Sequence, residues 1–156
     1  MEKSQSSNST WIFQANPNKY EIYKSLEAEK AEYWNLNQNA KKIKAGDRVL
    51  IWISGIEAGI YALGKVMTDP VVRPDSATGI GYWITKKAGQ RAKYRVLVRY
   101  EQVFLDNPLL KLFLEFDPTL WNLKVICAPH GTNFAVSEEE WQAIQEWLDK
   151  KSHVQA

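Results

Sequence analysis

The sequence predicts an α+β domain, and three stretches carry that prediction. Val49 to Ile53 is a run of five apolar residues, β-branched or aromatic apart from Leu50, as expected of a central strand buried on both faces. Ser54-Gly55 interrupts the run, and Gly59 to Met67 resumes it, so the two segments read as a hairpin. Near the other end, Ser137 and Glu140 have capping-box spacing, with Val136 and Trp141 at the staple positions, which predicts a helix from Glu138 to about Lys151.

The remaining elements follow in order. Trp11 to Ala15 is a short strand ended by Asn16-Pro17, and Pro17 suits the first turn of a helix from Asn18 to about Glu32, with Tyr23, Leu26 and Ala31 facing the core. Asn16 has two readings, a helix cap or an amide that ends a strand beside a pocket. Trp34 falls in the polar segment YWNLNQNAKK, read as a loop, where few neighbours can bury it. It is therefore a better ligand-wall candidate than Trp11 or Trp52, which lie inside apolar strands. In the second hairpin strand Ala62 and Gly64 share a face, and their smallness admits a close approach by another backbone or by a flat ligand.

Tyr82 to Thr85 begins a β-like piece, followed by Lys86, Lys87, Arg91, Lys93, Arg95 and Arg99 without intervening acids. A solvated edge is the ordinary reading of such a run, and Trp83 interleaved with the cations sets a phosphate-contacting role level with it. Tyr94 to Phe104 alternates as a strand, Leu109 to Phe116 as a short helix, and Leu123 to Cys127 as another strand. A polar loop, Pro129 to Phe134, then leads to the capped helix, whose core stripe is Trp141, Ile144 and Leu148.

Composition bounds the function. At 156 residues the chain has the length of one domain, read here as 11–151 between a disordered tail at 1–10 and a frayed end at 152–156 that includes His153. Twenty basic and 18 acidic residues leave a net charge of +2, too little to drive sequence-independent binding to a polyanion. Seven tryptophans exceed what a core of this size needs, so some are expected to face a pocket or surface. The single cysteine, Cys127, reads as a buried thiol. With no long apolar segment and no signal-peptide pattern, the expectation is a soluble cytoplasmic protein without membrane contact, monomeric.

The sequence contains no GxSxG, phosphate-binding loop, dinucleotide fingerprint or HExxH, and one cysteine with two distant histidines makes no ordinary zinc site. Cys127 and His130 lack an evident orienting acid, and Pro129 stiffens the spacer between them. The chain reads as built to bind, with no catalytic residue, metal or cofactor.

WIFQANP at 11–17, KIKAGDRVLIWISGIEAGIYALGKV at 42–66 and HGTNFAVSEEEW at 130–141, in that order, closely resemble the EVE domain, a PUA-like family related to the YTH readers of methylated adenine. The resemblance spans Trp11 to Trp147. It implies a strongly curved, barrel-like mixed sheet with helices outside, and a pocket in which aromatic walls hold a modified base flipped from its strand. Asn16 resembles the amide that contacts the base edge, Trp34 and Trp83 resemble the walls, and Thr132 and Asn133 resemble the polar loop that contacts base or sugar. Ser54 completes the expected ligand-binding set, and Lys86, Lys87, Arg91 and Lys93 are expected at phosphates. The third apolar wall has no clear counterpart between Lys86 and Tyr94, and an often acidic position resembles Asn133. The expected partner is DNA or RNA carrying a modified base, a modified cytosine in DNA being preferred to N6-methyladenine in RNA. The rival class is an adaptor that docks a protein of a restriction or defence system. Converging tryptophans distinguish the reader from a flat docking patch.

Overall fold

The computed structural model describes residues 8–155, the side chains of 152–155 excepted. Most of the expected tail and part of the expected frayed end, including the His153 side chain, thus lie outside the described residues. The elements are β1 (Thr10–Ala15), α1 (Ile22–Ala28), β2 (Ala31–Asn35), β3 (Arg48–Ile53), β4 (Gly59–Val66), β5 (Val71–Arg73), α2 (Ala77–Tyr82), α3 (Lys86–Gln90), β6 (Lys93–Val103), β7 (Leu109–Leu110), α4 (Lys111–Leu114), α5 (Lys124–Cys127), β8 (Asn133–Val136) and α6 (Glu138–Gln155). Among the described residues the strands form one mixed sheet in the order β2-β6-β4-β3-β1-β8, with β5 against β6 and β7 against β4.

The apolar run of β3 is continuous because its two faces enter two different cores. Val49, Ile51 and Ile53 join Trp11, Phe13 and Ala15 of β1 and Ile22 and Leu26 of α1. Leu50 and Trp52 join Ile12, Leu114 of α4, Val125 of α5, and Trp141 and Ile144 of α6. With side chains alternating at period two, a strand covered on both faces has no polar phase. β3 pairs parallel with β1 and antiparallel with β4, so the chain between β1 and β3 crosses over, carrying α1 and β2.

Leu63 and Gly64 of β4 face Gln102 and Tyr100, so the register skips Glu101 and the bulge bends β6 against β4. A Cβ at Gly64 would stand 2.6 Å from the Arg99 carbonyl oxygen, and one at Gly59 would stand 2.4 Å from that of Leu109. The close approach admitted by these glycines is thus by neighbouring backbone. In α6 the capping box forms as expected, the Ser137 N–H donating to Glu140 Oε1 at 2.9 Å and the Glu140 N–H to Ser137 Oγ at 3.1 Å.

Several local expectations are corrected. The helix expected from Asn18 to Glu32 is only α1, and its tail is instead β2, so Trp34 is a strand residue. Tyr23 faces outward at 41% exposure, and Ile22 and Ser25 join Leu26 inside. Tyr82 to Thr85 starts no strand, since Trp83 ends α2. Leu123 to Cys127 is helical at α5 with Cys127 exposed, because the turn from Trp121 leads Leu123 and Val125 into the core and rotates the thiol away. Arg95, expected in a solvated or phosphate-contacting basic run, is fully buried. Helix α6 continues past Lys151 to Gln155.

Candidate functional site

The sheet leaves a cavity of about 550 Å³ beside the ends of β1 and β2, within the range of small-molecule sites. Its wall comprises Gln14 to Asn16, Lys19 and Tyr20, Glu32 to Asn35, Asn37, Ser54, Trp83, Ala88, Arg91, Lys93 and the loop Pro129 to Thr132. Five stretches distant in sequence therefore meet at one concavity.

Parallel pairing of β1 with β3 ends with Ala15 opposite Ile53, which sets Asn16 and Ser54 side by side, and the Ser54 N–H donates to the Ala15 carbonyl at 3.0 Å. The Asn16 side chain caps no helix. Its Oδ1 accepts from the Asn18 N–H at 2.9 Å, an Asx turn, while α1 begins only at Ile22. Its Nδ2 has no acceptor among the described residues.

Trp34 points from β2 into the first core, 8% exposed, packs on Phe13 with ring centroids 6.0 Å apart, and donates its indole N–H to the Tyr100 hydroxyl at 2.9 Å. It is at once a core residue and a wall of the cavity. Trp83, in the same wall, is held differently: a bridge with Tyr20 brings the two rings edge to face at 5.0 Å, and the indole N–H donates to buried Asp75 at 2.8 Å. Behind it, a Cβ at Gly89 would lie 2.5 Å from Trp83 Cδ1, so only glycine lets α3 close on this ring. Gly89→Ala is expected to displace Trp83 and weaken ligand capture more than it lowers the melting temperature, a comparison readable by binding titration and thermal melts on one preparation.

The loop before β8 is tied down from both sides. Gln14 Nε2 donates to the Pro129 and Gly131 carbonyls at 2.9 and 2.7 Å, and Asn37 Nδ2 donates to Thr132 Oγ1 at 2.8 Å. Asn133, expected at the ligand, lies outside the cavity wall and is 2% exposed. Its Oδ1 accepts from the N–H groups of Asn37 and Gln38, and its Nδ2 donates to the Asn35 carbonyl at 3.0 Å. A buried amide with these partners must satisfy them first, so Asn133 shapes the rim instead of facing its interior. Lys86 and Lys87 also lie outside the wall; Lys86 Nζ donates to the Gly81 and Trp83 carbonyls at 2.8 Å each.

The decisive comparison is with protein families: the EVE domain model matches residues 9–147. The chain belongs to the EVE domain family. Solved structures share its fold at low identity. A hypothetical protein from Leishmania major has a TM-score of 0.67 at 20% identity, covering 94% of this chain and 98% of its own. A Pseudomonas putida protein has a TM-score of 0.65 at 18% identity, covering 88% and 98%. Human THYN1, solved in complex with 5-methylcytosine-containing DNA, has a TM-score of 0.64 at 16% identity, covering 90% and 97%. No curated protein matches. The architecture of this EVE domain is PUA-like, a curled mixed sheet with helices outside, as the resemblance implied.

The wall of this EVE domain's cavity carries charges of both signs. Lys19, Arg91 and Lys93 contribute cations to the wall. Burial, and then the neighbouring cations Arg95 and Arg91, hold the Lys93 ammonium below its ordinary range. Buried Arg95 donates to the carbonyls of Arg73 and Arg91 at 2.9 and 3.0 Å and to Asn35 Oδ1. Its charge rests on the carbonyl-rich end of α3, as helix C-termini favour. Glu32 supplies the wall's carboxylate, and burial raises its pKa above the ordinary value. Among the described residues no group of three His, Cys, Asp or Glu side chains could hold a metal ion, and no helix is long and apolar enough to cross a membrane.

Sequence reasoning missed Tyr20, Glu32 and Tyr33 in this wall. Extending α1 through Glu32 hid Tyr20 and Glu32, and reading Tyr33 into a polar loop hid the third. The signal was the β-prone pair Tyr33-Trp34, which as a strand sets Glu32 and Trp34 on one face.

Proposed function

We propose that this EVE domain is a non-enzymatic reader of a modified nucleobase, a modified cytosine in DNA, flipped into the cavity between Trp34 and Trp83. The observation that carries the reading is that both tryptophans belong to the wall of one concave cavity instead of a flat patch. Stacking contributes about 1–3 kcal/mol per base and accepts any base, whereas flipping costs a few kcal/mol, so selectivity falls to amides, hydroxyls and backbone groups. Asn16, Ser54 and Thr132 are the polar contacts of this reading, and Asn133 serves it by holding the rim. The DNA complex of human THYN1 supports the choice of a modified cytosine. The test is titration with matched oligonucleotides: 5-methylcytosine DNA, unmodified DNA and N6-methyladenine RNA. Tightest binding to the methylated DNA is expected; preference for the RNA would replace the base assignment, and indifference to all three would remove the reader function.

Arg91 and Lys93 are assigned to phosphates flanking the flipped base, and Lys86 and Lys87, outside the wall, to phosphates farther along the strand. Phosphate contacts position without reading sequence. Replacing Arg91 and Lys93 together by alanine is expected to reduce the salt slope of binding by about 1.5–2 and to leave the methylated-to-unmethylated ratio unchanged. A changed ratio with an unchanged slope would refute the assignment.

Asn16→Asp separates turn formation from base reading. A carboxylate accepts from the Asn18 N–H as the amide does, yet it has no donor to replace Nδ2. Stability is expected to stay near that of the parent while binding to the methylated oligonucleotide falls by about 1–3 kcal/mol. Parental affinity in calorimetry would take Asn16 out of the site.

A further inference from the structure

Two hydrogen-bond chains, one from Trp34 and one from Tyr20 in the cavity wall, end on the same side chain. Trp34 donates to the Tyr100 hydroxyl, which donates to Glu32 Oε2. Tyr20, whose ring abuts Trp83, donates to Glu32 Oε1 at 2.6 Å, and Ser25 Oγ on α1 donates to Oε2 at 3.0 Å. Glu32 is 7% exposed, and among the described residues the one ion pair, Lys24 with Glu21, is elsewhere. A carboxylate buried without a cation is costly, and here three donors take up most of its acceptor capacity.

We propose that Glu32 is a positioning residue whose ionised carboxylate sets the orientation of both aromatic walls, Trp34 through Tyr100 and Trp83 through Tyr20, so that ligand capture requires Glu32 to be charged. The consequence for binding rests on the reader function; the coupling between Glu32 and Trp34 does not. The titratable groups facing Glu32 are Tyr20, Tyr100 and, at longer range, Asp75 and Tyr82. Burial raises the tyrosines Tyr20 and Tyr100, and hydrogen bonding to Glu29 raises Tyr82 to about 12, so none of these three loses its proton near neutrality. Burial also raises Glu32, whose carboxylate therefore takes up a proton as pH falls toward and below its elevated pKa. A protonated Glu32 brings a fourth hydrogen among these hydroxyls, so one of them must change from donating to Glu32 to accepting from it.

The experiment follows the seven tryptophan indole N–H signals of the full chain by NMR across pH, with Trp34 assigned from the Trp34→Phe variant. The Trp34 signal is expected to move with a midpoint above the ordinary glutamate value, and to stop moving in Glu32→Gln. If Glu32→Gln does not fold, Tyr100→Phe, which severs only the Trp34 arm, is expected to flatten the same signal. A Trp34 signal that ignores pH, or that still titrates in these variants, overturns the proposal. In parallel, affinity for the 5-methylcytosine oligonucleotide is expected to fall about tenfold or more on acidification in the parent, and to be low and nearly pH-independent in Glu32→Gln. Equal acid sensitivity in both proteins also overturns it. If the parent binds no oligonucleotide, the reader function fails, and the indole titration alone decides the role of Glu32.

Discussion

Trp34→Ala is expected to cost about 3–5 kcal/mol of stability as well as all measurable capture of the methylated oligonucleotide. The side chain is 8% exposed, packs on Phe13 within the first core, and satisfies the Tyr100 hydroxyl. Removing it opens a void between β2 and β1, which the rigid sheet can fill only in part. Because total stability is about 5–15 kcal/mol, a loss of this size takes a large share of it. The expectation drawn from sequence, with Trp34 in a polar loop, is an intact fold; burial on β2 reverses it. Denaturant unfolding measures the first effect, and titration under conditions where the variant remains folded measures the second. Trp34→Phe keeps a stacking ring and forfeits the N–H to Tyr100, so it should recover most stability and part of the binding. A stable Trp34→Ala would show that this ring is only a wall.

Trp83→Ala is expected to have the opposite balance. The ring is half-buried, so its loss removes less core, and the main stability cost is the buried Asp75 Oδ2 left without its donor while Oδ1 keeps the Ser76 N–H, about 1–3 kcal/mol. Binding should weaken by a further 1–3 kcal/mol, about the contribution of one stacking face. Thermal melts and calorimetry on Trp83→Ala and Trp83→Phe separate the two. The phenyl ring restores stacking without restoring the bond to Asp75, so affinity should return further than stability does. Unchanged affinity in Trp83→Ala would remove this wall and leave the cavity with one aromatic face.

Local chemistry was legible in the amino-acid order alone. The β3–β4 hairpin shows in an unbroken apolar run because both of its faces are covered, and the capping box of α6 shows because its hydrogen bonds span only three residues. Family resemblance, carried by short motifs, grouped Asn16, Trp34, Trp83, Thr132 and Asn133, and the basic run supplied Lys86, Lys87, Arg91 and Lys93; Asn16, Trp34, Trp83, Thr132, Arg91 and Lys93 share one cavity wall with Ser54, whereas Asn133, Lys86 and Lys87 lie outside it. What the order of residues did not contain were partners far away in the chain. β2 is an edge strand whose ladder is completed only by β6, so Trp34 and Glu32 have no local sign of the pairing that buries them. Arg95 is buried because carbonyls from β5, α3 and Arg91 converge on it, and no helix or strand period encodes that convergence. Asn133 likewise serves a loop nearly a hundred residues earlier, at a sequence separation of 96 to Asn37. Hydrophobic period and capping are set within a few residues, whereas burial of a polar group is decided by which distant donors and acceptors the folded sheet brings to it.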